Sequence, residues 1–384
     1  MSVATLLLAV GGCAGTSPSD SASGAGASVE TSPHDAPSAG EPRTWVATGA
    51  MGTPREFHTA TLLPDGTVLV VGGRSQSAVG EPIASAELYE STPGSWTPTG
   101  GMLEARRGHS ATLLKDGRLV VAGGYGIGDI VASAELYDPN SGSWTTTGPM
   151  TEPRTDHAAT LLDDGRVLVA GGISSTGQLA SAELYDPISG TWTATGDMAA
   201  ARELPRATLL PSGLVLATGG NSPGGKLSST ELYEPNTGTW TDGGNMIDGR
   251  FRHMATLLPD GRVLVAGGSA RGGSLASAEL YDPNTRSWSS TGSMAVGRDY
   301  GVAILLPDGT VLVVGGTSSA TAEFMLAAAE LFNPETGSWT ATGALHDGRF
   351  LHTATLLVDG RVLVAGGSHG TGAQSLTSAE VYGP

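Results

Sequence analysis

Seven arginines recur along the chain at nearly equal intervals, and the guanidinium group is well suited to binding a carboxylate or a phosphate. They are Arg55, Arg106, Arg154, Arg202, Arg250, Arg298 and Arg349. In five copies a histidine follows three residues later, at His58, His109, His157, His253 and His352. Imidazole nitrogens bind a metal when several of them converge at about 2 Å from one ion. The two residue types therefore suggest anion binding and metal binding as the chemistry to consider.

A glutamate accompanies each arginine, at Glu87, Glu135, Glu183, Glu231, Glu279, Glu330 and Glu380. A buried charge needs a partner of opposite sign. One arginine and one glutamate per copy therefore favour structural ion pairs. The other interpretation is a ring of arginines that attracts an anion, and for this reason we keep all seven arginines as candidate ligand-binding residues.

The histidines are too far apart for one metal ion. Equivalent positions in neighbouring repeats of a β-sheet protein are expected roughly 10 Å apart, whereas a shared ion needs imidazoles at about 2 Å. Pro205 and Gly301 also replace the histidine in two copies. We therefore predict no metal site and no cofactor, and we interpret the histidines as packing or hydrogen-bonding residues.

The two residues directly after each arginine differ from copy to copy, although most of each copy repeats closely. Non-repeating residues at the rim of a repeating scaffold are the best candidates for ligand specificity. Their mixture of aromatic and charged side chains suits a peptide or a sugar. We predict ligand-binding residues at Phe57, Arg107, Asp156, Arg252, Tyr300 and Phe350.

The elements that position these residues follow from a long internal repeat. All seven tryptophans are repeat markers, at Trp45, Trp96, Trp144, Trp192, Trp240, Trp288 and Trp339. Gly-Gly doublets begin at Gly72, Gly123, Gly171, Gly219, Gly267, Gly315 and Gly366. Both series advance by 51, 48, 48, 48, 48 and 51 residues. A period near 50 residues with glycine and aromatic markers is typical of propeller blades.

Each repeat predicts four short antiparallel strands, a to d. The third copy reads RTDHAATLLDDGRVLVAGG, then a loop, then ASAELYDPISGTWTATG. Asp-Gly between two apolar runs is a strong hairpin signal, because both positions tolerate a positive φ. The copy resembles the kelch repeat, with an arginine opening strand a, Gly-Gly ending strand b, a tyrosine on strand c and a tryptophan on strand d. This resemblance covers nearly all of residues 44–384 and implies an all-β, seven-bladed kelch-type β-propeller.

The two ends of the chain predict how the ring closes. Trp45 belongs to a strand d with no strands a to c before it, and the chain ends in a strand c at Glu380-Val381-Tyr382. Together the two fragments make one blade. We therefore predict that the N-terminal strand d joins the C-terminal blade and removes its exposed edge.

The residues before the propeller predict a lipid anchor. Val10-Gly11-Gly12-Cys13 resembles the bacterial lipobox, and the preceding apolar run is long enough for a signal peptide but too short to span a bilayer. We predict a lipoprotein signal peptide over residues 1–12, lipidation at Cys13, a disordered Ser/Ala/Gly/Pro tether over 14–43 and the propeller over 44–384. The expected location is the bacterial cell envelope, as an outer-membrane or periplasmic lipoprotein, with secretion as the alternative.

Composition limits the possible partners. The chain has 20 Lys plus Arg against 37 Asp plus Glu, a formal net charge of −17. Nucleic-acid binding needs a basic surface, so we exclude it. We expect a monomeric propeller that touches the membrane only through its N-terminal lipid.

The loops predict where a ligand binds. The b–c loops vary in length, whereas the a–b and c–d turns are nearly constant. The resemblance to kelch domains implies recognition at the face formed by the b–c and d–a connections, so we expect a non-catalytic module that binds a protein or a carbohydrate there. Neutral drift of exposed loops is the other explanation of this variation.

Two enzymes with similar folds offer alternatives. Galactose oxidase has a kelch-type propeller, but its copper site needs a tyrosine crosslinked to a cysteine, and Cys13 is the one cysteine of this chain and lies outside the repeats. We exclude that chemistry. A sialic-acid epimerase (mutarotase) resembles this fold without a metal; its proton-transfer groups here would come from Glu56, Asp156, Glu203 or Asp299.

Overall fold

The computed structural model describes residues 43–75, 80–319, 324–370 and 374–383. They form seven four-stranded antiparallel sheets arranged as a propeller, with no helix among the described residues. The predicted all-β, seven-bladed fold is therefore confirmed. The predicted signal peptide, Cys13 and nearly all of the predicted tether lie outside the described residues.

The blades are numbered 1 to 7 from the first complete repeat. Strands a are Thr59–Leu62, Ser110–Leu113, Ala158–Leu161, Arg206–Leu209, Met254–Leu257, Val302–Leu305 and Thr353–Leu356. Strands b are Val68–Val71, Leu119–Ala122, Val167–Ala170, Val215–Thr218, Val263–Ala266, Val311–Val314 and Val362–Ala365. Strands c are Ala86–Glu90, Ala134–Asp138, Ala182–Asp186, Ser229–Glu234, Ala278–Asp282, Ala329–Asn333 and Ala379–Gly383. Strands d are Ser95–Thr99, Ser143–Thr147, Thr191–Ala194, Thr239–Asn245, Ser287–Ser290, Ser338–Thr342 and, for blade 7, Thr44–Ala47.

Within the described residues, four b–c loops contain an additional two-stranded hairpin. In blades 3, 4, 5 and 7 these are Ile173–Ser174 with Gly177–Gln178, Asn221–Ser222 with Gly225–Lys226, Ser269–Ala270 with Gly273–Ser274, and Ser368–His369 with Gln374–Ser375. Strands a of neighbouring blades contact one another all the way round the ring. They therefore surround the central axis, where propellers have a channel.

The ring closes as predicted. Thr44–Ala47 pairs antiparallel with Ala379–Gly383, and Trp45 lies opposite Tyr382 with ring centroids 4.9 Å apart. Arg43 adds an ion pair of 2.8 Å with Asp308. The N-terminal strand thus supplies the outer strand that the C-terminal blade lacks, and no blade has a missing strand d at its edge.

The hydrophobic core lies between blades, because strand b of every blade is buried on both faces. In one cluster Leu168 and Ala170 of blade 3 pack against Val215 and Ala217 of blade 4. The residue four positions before each arginine is also 3–5% exposed: Met51, Met102, Met150, Met198, Met246, Met294 and Leu345. These side chains are packing residues, as the repeat indicated.

In five blades a tyrosine on strand c hydrogen-bonds to a threonine of the preceding blade. Tyr185 packs against Trp192 at 5.0 Å between ring centroids, and its hydroxyl hydrogen-bonds to Thr147 of blade 2 at 2.8 Å. Blades 5 and 6 depart from this pattern. Blade 6 has Phe332 in place of the tyrosine, and the blade 5 tyrosine faces Gly243 of blade 4, which stands where the threonine would be. A Cβ at Gly243 would lie 2.9 Å from the Thr230 hydroxyl, so the irregular strand d of blade 4 has little room for a side chain there.

Removal of the Tyr281 hydroxyl should not destabilise the protein. This hydroxyl is buried and has no hydrogen-bond partner, whereas the equivalent hydroxyl of Tyr185 has one. We expect Tyr281→Phe to be neutral or stabilising and Tyr185→Phe to cost about 1 kcal/mol. Urea unfolding followed by tryptophan fluorescence measures both. Equal losses in the two variants would contradict this assignment.

Over the described ranges, which omit residues 1–42, three short loop segments and Pro384, no helix has the length and apolarity needed to cross a bilayer.

Candidate functional site

The seven recurring arginines form one structural network per blade. Each is fully buried and pairs with the glutamate of its own blade at 2.5–3.0 Å. Arg154 also donates from Nη1 to the carbonyls of Gly171 and Ser181, both at 2.9 Å. The arginine therefore joins the start of strand a to the end of strand b and the start of strand c.

Each glutamate also accepts at least one backbone N–H group. Glu183 accepts the Arg154 guanidinium at 3.0 Å and the backbone N–H groups of Thr151 and Glu152 at 2.6 and 3.2 Å. The structure thus contains the ion pairs that the repeat favoured. The guanidinium groups of Arg55, Arg106, Arg154, Arg202, Arg250, Arg298 and Arg349 are 0% exposed, so a ligand at the surface cannot contact them directly.

The histidines make hydrogen bonds between blades. Nε2 of His157 bonds to the hydroxyl of Ser110 at 2.8 Å, and Nε2 of His109 bonds to the hydroxyl of Thr59 at 3.1 Å. In each case the hydroxyl belongs to the first residue of strand a in the preceding blade. This is the hydrogen-bonding role that we inferred from the spacing.

Blades 4 to 7 lack this hydrogen bond, and in each case the first residue of strand a in the preceding blade has no hydroxyl group. Gly301 replaces the histidine of blade 6, and the sulfur of Met254 lies 3.0 Å from where a Cβ on Gly301 would be. His352 faces blade 6, whose strand a begins with Val302, and neither of its ring nitrogens has a hydrogen-bond partner. The described residues contain no group of three or more His, Cys, Asp or Glu side chains placed to hold a metal ion.

The residue two positions after each arginine forms a ring around the axis, which we call the mouth ring: Phe57, Gly108, Asp156, Leu204, Arg252, Tyr300 and Leu351. All seven have left-handed backbone, with φ between 53° and 63°. The N–H of Asp156 donates to the carbonyl of Gly108 at 3.1 Å, and that of Leu204 donates to Asp156 at 2.9 Å. Backbone hydrogen bonds of this kind connect neighbouring blades and fix the position of the ring.

The mouth ring lies at the end formed by the b–c and d–a connections. The residue preceding each ring member pairs with the residue that follows the Gly-Gly doublet of the same blade, as Thr155 does with Ile173. A left-handed backbone costs a non-glycine residue about 1–2 kcal/mol. Six of the seven ring positions nevertheless carry a side chain, and strained positions of this kind cluster at functional sites.

Aromatic rings clamp two arginines at this mouth. The guanidinium of Arg252 lies 4.4 Å from the ring centroid of Phe251 and 4.3 Å from that of Tyr300. The guanidinium of Arg107 lies 4.6 Å from Tyr125 and 5.5 Å from Phe57. Among the described residues neither Nε has a hydrogen-bond acceptor, as is also the case for Arg154 of the internal network. Stacking of this type orients a guanidinium and leaves its edge available for an acceptor.

The six non-repeating candidates therefore lie around one opening. Phe57 and Arg107 are in contact across blades 1 and 2, and Arg252 and Tyr300 are in contact across blades 5 and 6. Phe350 of blade 7 lies 6.0 Å from Tyr300 between ring centroids. Asp156 occupies the mouth-ring position of blade 3.

Burial controls the ionisation of two side chains in the mouth ring. It raises the pKa of the Asp156 carboxyl; Glu203 raises this pKa further, while Arg107 and Arg252 lower it. It also raises the pKa of Tyr300 to about 12. The Tyr300 hydroxyl therefore keeps its proton at neutral pH and can donate a hydrogen bond.

Three of the four carboxyl groups considered for proton transfer are already engaged. Glu56 forms an ion pair with Arg74, and Asp299 accepts hydrogen bonds from the hydroxyls of Thr317 and Ser274. Glu203 accepts from the side-chain amides of Gln178 and Asn221 at 3.3 and 3.2 Å. The described residues provide no hydrogen bond to the Asp156 carboxylate, which is the remaining member of the four.

Sequence reasoning missed several residues of the mouth: Arg74, Tyr125, Arg206 and Lys226. Arg74 and Tyr125 directly follow a Gly-Gly doublet, where an alignment of the copies would have shown a variable residue. Strand a of blade 4 reads RATL where others read TATL or SATL, so the same alignment would have identified Arg206.

Sequence comparison agrees with this architecture. The profile described as "Kelch motif" matches residues 106–151, 154–199 and 250–295, which are three of the repeats seen in the structure. The chain is a seven-bladed β-propeller that contains kelch motifs. No curated protein matches this kelch propeller in sequence.

The fold also resembles that of a solved enzyme. A fungal alcohol oxidase of the AA5 family, in complex with copper, superposes with a TM-score of 0.73 at 19% identity, covering 90% of this chain and 77% of the oxidase. Identity this low shows a common fold only. The described residues provide no group of three metal ligands, and the single cysteine, Cys13, precedes the propeller, so the residues present do not fit a copper site of the galactose-oxidase type.

Proposed function

We propose that this kelch propeller is a binding module that takes a protein ligand at its channel mouth. The kelch propeller fold suggests a protein-interaction module, and the proposal adds the place of binding. One observation carries it: six of the seven left-handed positions of the mouth ring carry a side chain, and these side chains are of five different types. A scaffold optimised only for stability would have glycine there, as blade 2 does with Gly108.

The mouth has the properties of a preorganised protein-binding surface. Tyrosine and arginine are the residue types that dominate binding energy in protein interfaces. Here Arg252 is stacked between two aromatic rings, and the mouth-ring backbone is held by hydrogen bonds between blades. Side chains already ordered in the free protein lose little conformational entropy on binding.

The state of the mouth carboxylates favours binding over catalysis. A sialic-acid epimerase-type reaction needs an acid and a base placed to exchange protons with the substrate. Of the four carboxyl groups considered for proton transfer, Glu56 forms an ion pair, and Glu203 and Asp299 accept hydrogen bonds from neighbouring side chains. Asp156 therefore has no second unengaged carboxyl group among these four to act with it as an acid–base pair. We therefore propose that the mouth binds a ligand and does not catalyse a reaction.

The proposal includes display at the cell envelope, which rests on the lipobox-like stretch that ends at Cys13. The following residues would then act as a flexible spacer between the membrane and the propeller. Mass spectrometry of the mature N-terminus tests this part. A diacylglyceryl group on Cys13 supports it, and an unmodified Met1 terminus contradicts it.

Selection from a phage library of random peptides on the immobilised full chain tests the binding site. We expect the enriched peptides to bind Arg252→Ala and Tyr300→Ala at least about tenfold more weakly than the unmodified protein, because both side chains form the aromatic clamp. Ile188→Ala is the control: Ile188 is 97% exposed in a c–d turn at the opposite end. Peptides that bind all three variants equally well would place the site elsewhere.

A further inference from the structure

A second ring of non-repeating residues lies at the end of the propeller opposite the mouth. In each blade it consists of the residue before the Asp-Gly of the a–b turn, or before Ser-Gly in blade 4. This residue lies against the turn glycine of the next blade: the Cγ of Pro64 is 3.6 Å from where a Cβ on Gly117 would be. The same contact recurs between all seven pairs of neighbouring blades. We call this set the turn ring: Pro64, Lys115, Asp163, Pro211, Pro259, Pro307 and Val358.

The turn ring has an apolar part and a charged part. Five consecutive blades, 4 to 7 and then 1, carry proline or valine, and the two remaining blades, 2 and 3, carry Lys115 and Asp163. All seven residues are exposed, Val358 at 71%. Contiguous exposed apolar surface is typical of a site that contacts another macromolecule.

The hairpin turns themselves do not require these apolar residues. Every a–b turn closes with the same backbone hydrogen bond, for example from the N–H of Gly165 to the carbonyl of Leu162 at 3.0 Å and from that of Gly309 to Leu306 at 2.9 Å. Lysine, aspartate and valine occupy the turn-ring position in three blades without changing this bond. The run of apolar residues is therefore a property of the surface and not of the turn.

Negative charge beside the turn ring is neutralised, although the whole chain has a formal charge of −17. An aspartate follows the turn-ring residue in six blades. Five of these six form ion pairs: Asp116, Asp164, Asp260 and Asp359 with an arginine two positions later, and Asp308 with Arg43. Two such rings can therefore approach each other without strong repulsion between these turns.

We propose that the turn ring binds the turn ring of a second copy of this chain, so that two propellers stack with their mouths facing outward. In a two-fold symmetric contact, residue i of one copy meets residue j of the other, and j meets i. One two-fold axis suits the observed order of residues. It passes between blades 2 and 3 on one side of the ring and through blade 6 on the other.

This axis matches every member of the turn ring with a suitable partner. Lys115 of each copy faces Asp163 of the other, so opposite charges meet. The remaining pairs are apolar: Pro64 with Pro211, Val358 with Pro259, and Pro307 with itself on the axis. A dimer differs from the monomer that we expected from the sequence, in which these residues are far apart and do not form one surface.

The same axis accommodates the N-terminal ends of both copies. Arg43 pairs with Asp308, so it lies beside the blade 6 turn through which the axis passes. Both chains therefore enter their propellers on the same side of the stacked pair. With Cys13 lipidated, as proposed above, both anchors can enter one membrane, and this raises the effective concentration of one copy for the other. Only this step rests on the proposed anchoring.

Sedimentation equilibrium of the full chain tests the dimer. Cys13→Ser removes the lipidation site and prevents a disulfide through this cysteine, so that association reports the folded surface. We expect the mass to rise from one chain to two between low and high micromolar concentrations. Lys115→Asp should weaken association at least about tenfold, because like charges then face each other, and combining it with Asp163→Lys should restore association. A mass of one chain at every concentration would overturn the proposal.

A cysteine on the two-fold axis tests the arrangement of the two copies. In the Cys13→Ser chain, Pro307→Cys places two thiols opposite each other, and a disulfide needs Cα atoms roughly 4.4–6.8 Å apart. Val358→Cys is the matched control, because this position faces Pro259 of the second copy and not itself. Under mild oxidation we expect a disulfide-linked dimer on a non-reducing gel for Pro307→Cys alone. Equal crosslinking of the two variants, or none in either, would contradict the two-fold axis.

A control at the mouth separates dimerisation from ligand binding. Leu103 is exposed at 65% in a d–a connection at the mouth end, so Leu103→Glu should leave association unchanged. Pro307→Glu brings two carboxylates together on the axis and should abolish association, while the phage-selected peptides still bind at the open mouth. An equal loss of association in both variants would show that the copies do not meet through the turn ring, and would leave peptide binding at the mouth as a separate question with its own test.

Discussion

Lowering the pH from 7 to 5 should destabilise the propeller severely, because five buried histidines cannot take up protons while it is folded. Burial lowers the pKa of His109 and His352 to about 3. It lowers the pKa of His58, His157 and His253 well below the ordinary value as well, and nearby arginines add to this effect. In the unfolded chain each histidine titrates near 6.5.

The direction of the pH dependence follows from these lowered histidine pKa values. A histidine whose pKa is lowered by folding contributes stability above about pH 6.5 and loses it as the pH falls toward its folded pKa. The loss is about 1.4 kcal/mol per pH unit and per histidine, or about 2 kcal/mol each at pH 5. Five such histidines together cost about 10 kcal/mol, which is comparable to the whole stability of a typical domain.

Two groups oppose this loss. Glu380 raises the pKa of the exposed His346 by accepting a hydrogen bond at 2.6 Å, and burial raises the pKa of Asp156. Both therefore bind protons more tightly in the folded protein. They are too few to compensate for five histidines, so the net stability should still fall with the pH.

Urea unfolding curves at pH 7, 6 and 5 measure the effect, since the slope of the free energy of unfolding against pH gives the number of protons taken up. We expect this number to be about four to five near pH 5, because the proton held by folded Asp156 subtracts from the five taken up by the histidines. His157→Gln should lower it by about one at the same pH. A stability that stays constant between pH 7 and 5 would show that the folded histidines accept protons.

Breaking one internal ion pair should also have a large effect. Arg154→Met leaves the Glu183 carboxylate buried, at 2% exposure, without its cation. We expect a loss of about 3–5 kcal/mol, because an unpaired buried charge keeps its desolvation cost. Adding Glu183→Gln should recover part of the loss, since the amide oxygen still accepts the N–H groups of Thr151 and Glu152 without carrying a charge.

A surface pair of the same chemistry provides the matched control. Arg166 and Asp164 are 2.6 Å apart, but their side chains are 34% and 44% exposed. Arg166→Met should therefore cost less than about 1 kcal/mol, because solvent already screens the pair. Thermal or urea unfolding compares the two variants, and similar losses in both would contradict the structural role of the buried network.

Much of the candidate site could be anticipated from differences between repeats. The positions after each recurring arginine vary, and the structure brings six of these residues, including Asp156, Arg252 and Tyr300, to one opening. Arg206 was missed because it lies one position beyond the recurring histidine, in a segment that otherwise repeats closely. Its position at the mouth is a result of ring closure, which brings strand a of blade 4 close to Asp156 of blade 3, His253 of blade 5 and Tyr300 of blade 6.

The amino-acid sequence alone determined the number of blades, the four strands of each and the closure by Trp45, because these depend on local hairpin signals and on a regular period. Only the tertiary structure decided what the recurring charged residues do. The arginines could have formed an anion-binding ring or internal ion pairs, and their spacing permits both. The folded chain places each of them beside the glutamate of its own blade and away from solvent. Burial is a property of the assembled ring, because strands distant in sequence must pack together before it exists.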